Sequence, residues 1–260
     1  MMLDTFAKYN TYFEAWLNIS AKEVYQAKGI IISSDKRRLR KPDSWLMFLP
    51  ICAFETRDAL IISCIPQWEA ELRDITKNAS ISQALKIIKL FSNKKALHND
   101  RFKFYGINKL NGEIDSAKAQ ALKKTQYEEF AAYYRKVHPG VAQLVDPNDW
   151  MLSEFDDITK KKIHYCVFIE NEIVSATGSE NMPNAPKGLI QIGVDTLREH
   201  RRKGYASAAC AAFIKDKTEQ GKFPVWTCEL NNLPSEMLAK KLGFQHLGNE
   251  MLTVSLTEIK

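Results

Sequence analysis

At 260 residues, with 45% hydrophobic and 26% charged side chains, the chain is long enough to bury a core and too apolar to remain disordered. Its net charge of +6 is carried by basic residues spread along the sequence, which reads as a moderately basic surface. The five cysteines (Cys52, Cys64, Cys166, Cys210 and Cys228) are odd in number, lack CxxC spacing and sit among apolar residues. That pattern argues for a reducing compartment and against a disulfide framework or a metal site. The longest apolar stretch, residues 45–54, is interrupted by Pro50 and falls short of the roughly 20 residues that span a bilayer. The first residues show no leader pattern. Together these features predict a cytoplasmic protein with no membrane partner.

In chain order, residues 12–28 read as a helix stopped by Gly29, and 36–43 as a charged loop. Residues 45–49 and 59–64 are short apolar runs bounded by turn residues and read as buried strands. Pro66 opens a helix through about residue 78, and Ile81, Leu85 and Ile88 keep helical spacing in a second one. Residues 93–100 form a polar loop, and 116–137 read as helical up to the turn His138-Pro139-Gly140. The rhythm then changes. Residues 163–169 and 172–179 form a hairpin about Glu170-Asn171, and 181–188 is a Pro- and Asn-rich loop. Residues 189–196 alternate as a third strand, and 205–220 form a helix capped by Gly221. A strand at 224–230, a short helix at 235–242 ending at Gly243, and a last strand at 251–256 complete a mixed α/β pattern.

The stretch between the third strand and the helix at 205 carries the most chemistry. Arg198, Arg201, Arg202 and Lys203 lead into Gly204, and the helix starts at once with Tyr205, Ala206 and Ser207. A helix N-terminus offers unpaired N–H groups and a partial positive charge, and glycine lets the backbone approach a ligand. Strand, glycine turn and helix start make either an anion site of the pyrophosphate-cradling type or an ordinary basic strand-to-helix turn with a structural glycine. Neither GxGxxG nor GxxxxGK[ST] spacing occurs here, so Rossmann and P-loop binding are excluded.

Arg201-Arg202-Lys203-Gly204-Tyr205-Ala206 resembles the Q/R-x-x-G-x-G/A signature of the GNAT superfamily of N-acetyltransferases. Asn232-Leu-Pro-Ser235, followed by Lys241-Leu242-Gly243-Phe244, is similar to that family's later N-x-x-A/S and K-L-G-F segment. The wording of both is nearest to the group that includes zwittermicin-type self-resistance enzymes. The resemblance implies a mixed, mostly antiparallel central sheet flanked by helices. It covers residues 126–260 as an acetyl-CoA-binding catalytic domain and leaves 1–125 as an α/β extension that helps shape the acceptor site.

It also implies that the strand residues Ile192, Val194, Asp195 and Thr196, the turn and helix start from Arg201 to Ser207, and Asn232 and Ser235 contact acetyl-CoA. Asn232 would serve equally as a helix cap. The expected chemistry is direct attack by the amine of a small molecule on the thioester within a ternary complex, with Val194 N–H polarising the carbonyl. No metal is required.

Two departures from the family pattern stand out. The third strand has Gln191 and no carboxylate before Asp195, and Ala239 occupies the position of the tyrosine that often protonates the leaving thiolate. Glu229 then reads either as the base or as a solvated strand-end carboxylate, while His164 and Tyr165 read as packed or surface residues. The departures keep open a second reading, an acyl-CoA-binding module without catalysis. A third, nucleic-acid binding through residues 36–41, lacks interleaved aromatics.

Overall fold

The computed structural model describes residues 2–42, 46–180 and 188–258. Two expected features, the start of the strand at Trp45 and most of the Pro- and Asn-rich loop, lie outside them.

The chain opens with three helices, α1 (Met2–Lys8), α2 (Asn10–Leu17) and α3 (Ala21–Gln26). The single helix expected over residues 12–28 is broken because Asn18 adopts a left-handed conformation at φ 58°. Ser20 then starts α3 with a capping box, its hydroxyl accepting from Glu23 N–H and the Glu23 carboxylate accepting from Ser20 N–H. Strand β1 (Gly29–Ser34) follows, then β2 (Phe48–Glu55) and β3 (Ala59–Cys64). β2 runs through Pro50, and its ladder with the last strand shifts register between Thr253 and Ser255, beside the missing N–H. Helices α4 (Glu69–Thr76) and α5 (Ile81–Lys94) precede β4 (His98–Ile107).

Where a helix is expected over residues 116–137, the chain forms β5 (Ala119–Ala121) and then α6 (Tyr127–Val137). Two further helices follow, α7 (Pro139–Leu144) and α8 (Pro147–Lys160). The rest keeps the expected order: β6 (Tyr165–Ile169), β7 (Glu172–Glu180), β8 (Leu189–Thr196), α9 (Tyr205–Glu219), β9 (Phe223–Glu229), α10 (Leu233–Leu242) and β10 (Phe244–Ser255). The β6–β7 turn has both Glu170 and Asn171 at positive φ, as the twist of a two-residue hairpin requires.

The ten strands of the described residues join one sheet in the order β1-β3-β2-β10-β4-β9-β8-β7-β6-β5. Its neighbours are antiparallel except β1 with β3 and β8 with β9. The sheet is continuous across residue 125, since β4 is inserted between β9 and β10. This is the mixed, mostly antiparallel fold class that the resemblance implies.

Helices cover both faces. On one, Tyr12, Phe13 and Trp16 of α2 pack with Phe54, Phe104, Val225 and Leu252. The Tyr9 hydroxyl, fully buried, donates to the Pro224 carbonyl at 2.7 Å and accepts from Ile107 N–H at 2.8 Å. Helices α6 and α8 lie on the same face further along, where Phe130, Tyr133, Met151 and Phe155 meet Cys166 and Ala176. On the other face α9 and α10 bury Phe213, Ala239 and Leu242 against Tyr105, Ile190, Ile192 and Trp226.

Candidate functional site

The site begins where two parallel strands part. β8 and β9 pair over only three residues, from Leu189↔Phe223 to Gln191↔Val225. Beyond that point β8 pairs with β7 alone, and β9 pairs with β4 through Thr227↔Phe104 and Glu229↔Phe102. The backbone groups of β8 that face β9 past Gln191 therefore have no ladder partner on that strand. The strands splay into a cleft of about 770 Å³ on the α9/α10 side.

One wall of the cleft is the start of α9. Gly204 sits before the helix at φ 84°, a conformation that only glycine adopts without strain, and a Cβ there would meet nothing within 4 Å. The glycine is thus required by the backbone turn and not by packing. Among the described residues no side chain caps α9, and its first internal bond is Ala208 N–H to Gly204 O at 3.0 Å. The N–H groups of Tyr205, Ala206 and Ser207 are left without helical acceptors. Helices α3, α5 and α10, by contrast, are each capped by a Ser or Asn side chain.

Arg201 is held across the mouth by its Nε–H, which donates to the Thr196 carbonyl at 3.1 Å. Arg202, at φ 62°, also lines the cleft, and Lys241 faces it from α10. Open N–H groups and cationic residues line one cleft, an arrangement suited to an anion.

Val194, Asp195, Thr196, Arg201, Arg202, Gly204, Tyr205, Ala206, Ser207, Asn232 and Ser235 all line this cleft. Ile192 and Lys203 do not: the Ile192 side chain is buried beneath α9, and Lys203 is exposed. The side chains of Asn232 and Ser235 already have partners. Asn232 caps α10 by accepting from Ser235 N–H at 3.1 Å, and the Ser235 hydroxyl accepts from Trp226 Nε1 at 3.0 Å.

The sequence reading missed Trp226, Pro234, Met237 and Leu238, which also line the cleft. Met237, Leu238 and Lys241 share one stripe of α10, and that spacing was the available signal. His200, in the same basic loop, lines the cleft as well, and among the described residues its buried Nδ1 has no hydrogen-bond partner.

Glu229 lies apart from the cleft lining, exposed at the end of β9. His164 packs against Phe130 at 4.6 Å, and its Nδ1–H donates to the Thr177 carbonyl. Burial pushes its pKa down to about 4, so the ring is neutral at physiological pH. Tyr165 is buried toward α9. Burial pushes the Cys228 thiol up, which leaves it a poor nucleophile. Glu236, hydrogen-bonded by Lys103 and Lys240, is held down to about 2. Among the described residues no group of three or more His, Cys, Asp or Glu side chains is arranged to hold a metal, and no helix is long and apolar enough to cross a membrane.

Comparison with known proteins agrees with this architecture. A curated protein of Bacillus subtilis strain 168, named as an uncharacterized N-acetyltransferase YjdG, is 39% identical over 75 residues. The match takes in 28% of this chain and 44% of that protein, so the chain spans less than half of its length. An acetyltransferase of the GNAT family from Colwellia psychrerythraea superposes with a TM-score of 0.51 at 14% identity, covering 75% of this chain and 76% of that one. A second GNAT-family structure, from Novosphingobium aromaticivorans, gives 0.45 at 19% identity over 60% and 64% of the two chains. The GNAT acetyltransferase family model matches residues 53–249, across both halves of the sheet. The chain belongs to the GNAT acetyltransferase family.

Proposed function

We propose that this protein transfers the acetyl group of acetyl-CoA to the amine of a small molecule, by direct attack within a ternary complex. One observation carries the reading: the uncapped start of α9 faces the fork between β8 and β9 in a single cleft. The α9 N–H groups, with Arg201 and Arg202, would hold the pyrophosphate. The unpaired backbone groups of Ile192 and Val194 on β8 would take the pantetheine arm, and Val194 N–H would polarise the thioester carbonyl. The thioester lies where the strands part.

Helices α1–α3 of the N-terminal region share a sheet face with Gln191 and Thr227, and this supports a part for them in shaping the acceptor site. Glu229 ends β9 on that same face and is the carboxylate we assign as proton acceptor. Five buried free thiols fit a reducing, cytoplasmic setting.

Thiol release from acetyl-CoA, followed across a panel of primary amines, tests the activity. Turnover with at least one amine, and a lower kcat for Glu229→Gln, is the expected result. Tight coenzyme binding with no turnover would favour a binding module without catalysis. That second reading draws on the lack of a carboxylate on β8 before Asp195 and on the buried Ala239 in α10.

A further inference from the structure

Two glycines stand side by side in the middle of the sheet for no structural reason. Gly178 of β7 and Gly193 of β8 are register partners. Neither belongs to the glycines at positive φ. A Cβ on Gly193 would meet only the Gly178 carbonyl, at 3.6 Å and 3.9 Å, and a Cβ on Gly178 would meet only His164 Cε1 at 3.8 Å. These are ordinary contacts. Gly106 and Gly248 of the same sheet differ, because a Cβ there would collide with the Tyr9 ring and with the Glu55 carbonyl. Glycine weakens a strand, so a pair that neither conformation nor packing demands preserves empty space.

The space lies on a definite face. Ile190 and Ile192 point to α9, so Gln191 and Gly193 point the other way, as strand alternation requires. Gly178, paired with Gly193, shares that face, with His164 and Phe130 of α6 on one side. Val225 and Phe104, packed under α2, bound the other.

At the head of the strip Gln191 Nε2 donates to Thr227 Oγ1 at 2.6 Å. This bond spans the two strands just past their last register pair, Gln191↔Val225. Gln191 Oε1 makes no hydrogen bond among the described residues and is a free acceptor beside the fork. Asp195 and Glu229, both exposed, follow on the same face two residues beyond Gly193 and Thr227.

We infer that Gly178 and Gly193 pave the subsite for the acceptor's arm, with Gln191 Oε1 receiving an N–H of the attacking amine. The inference rests on the coenzyme reading of the cleft, since it places the thioester at the fork and the amine on the opposite face. A slender, unbranched arm fits a floor without side chains. The exposed carboxylates Asp195 and Glu229 on this face favour a cationic amine over a neutral or acidic one, and Glu229 keeps its part as the group that takes the ammonium proton.

The test does not need the natural acceptor. Coenzyme A alkylated on sulfur with an N-(3-aminopropyl)acetamide arm would extend through the fork onto the glycine strip. Its affinity is compared by calorimetry with that of plain coenzyme A, for the wild type, Gly193→Val and Gly178→Ala. Plain coenzyme A should bind all three within about twofold, while the armed analogue weakens about tenfold or more in Gly193→Val and less in Gly178→Ala. The urea midpoint of Gly193→Val should be unchanged or raised, because valine suits a strand better than glycine. Unchanged affinity of Gly193→Val for the armed analogue would overturn the assignment. Failure of the wild type to bind plain coenzyme A is a separate result: it removes the coenzyme reading, and the acceptor subsite falls with it.

Discussion

Glu250 offers a quantitative test of how the sheet is packed. It lies in β10 between Phe54 of β2 and Phe102 of β4 and is 4% exposed. Among the described residues nothing hydrogen-bonds its carboxyl, and burial raises the pKa from 4.5 to about 8. The folded protein therefore holds a proton that the unfolded chain releases near pH 4.5. Between these two values the folded state binds more protons, so stability falls as pH rises through the window and is fully present only below it.

A window of about 3.5 pH units at about 1.4 kcal/mol each caps the loss at roughly 5 kcal/mol. Glu250→Gln removes the ionisation while keeping the shape. Urea unfolding, followed by tryptophan fluorescence at several pH values, measures both proteins. Near pH 5 the two midpoints should nearly coincide. Near pH 8.5 the variant should be more stable by about 2–5 kcal/mol. The difference between the proteins isolates this carboxyl from every other titrating group. A difference that stays constant with pH would refute the burial argument.

Further expectations follow from single contacts. Tyr9→Phe leaves Ile107 N–H and the Pro224 carbonyl without their buried partner, and should cost about 2–4 kcal/mol in urea unfolding. A loss under about 0.5 kcal/mol would mean that this bridge from the N-terminal helices to β4 and β9 does not stabilise the fold. Asn232→Ala removes the α10 cap and should lower stability by about 1 kcal/mol, with Asn232→Ser restoring most of it. Equal losses in the two variants would contradict a capping role. All five cysteines are buried, so the native protein should react slowly with a thiol reagent and the urea-unfolded protein fast. Fast labelling of the native state would contradict their burial.

The second half of the fold was legible because its signals are local. Alternating Ile190, Ile192 and Val194 mark β8, the Glu170-Asn171 pair marks a hairpin, and Gly221 and Gly243 mark helix ends. The capping residues that divide α2 from α3, Ser20 and Glu23, were also in the sequence, as was Asp146-Pro147 at the start of α8. The first pair lies inside the longer helical pattern over residues 12–28, which masks it, and the second lies in the stretch 141–162, where no element is expected above. β4 was a different case. Its first residues are polar, and Phe104, Tyr105, Gly106 and Ile107 are buried on both faces, so it lacks a clean alternation. What makes it a strand is pairing with β9 and β10, more than 100 residues away, which has no local signature.

The candidate site divides in the same way. The turn at Gly204 is legible because positive φ, small residues and cations are encoded side by side. The Met237 and Lys241 wall depends on how α10 packs, and the empty strip at Gly178 and Gly193 depends on register between two strands. Neither can be read from spacing alone.

Calorimetric titration with acetyl-CoA, for the wild type and Gly204→Glu, tests the coenzyme cleft most directly. The substitution strains a left-handed position and sets a carboxylate facing the anion, where repulsion of about 3–4 kcal/mol is expected at 4–5 Å and an effective dielectric near 20. Micromolar binding by the wild type, weakened about 100-fold or more in a variant with an unchanged far-ultraviolet spectrum, is the predicted outcome. Equal affinity in both proteins, or no binding in either, would contradict a coenzyme held at the start of α9.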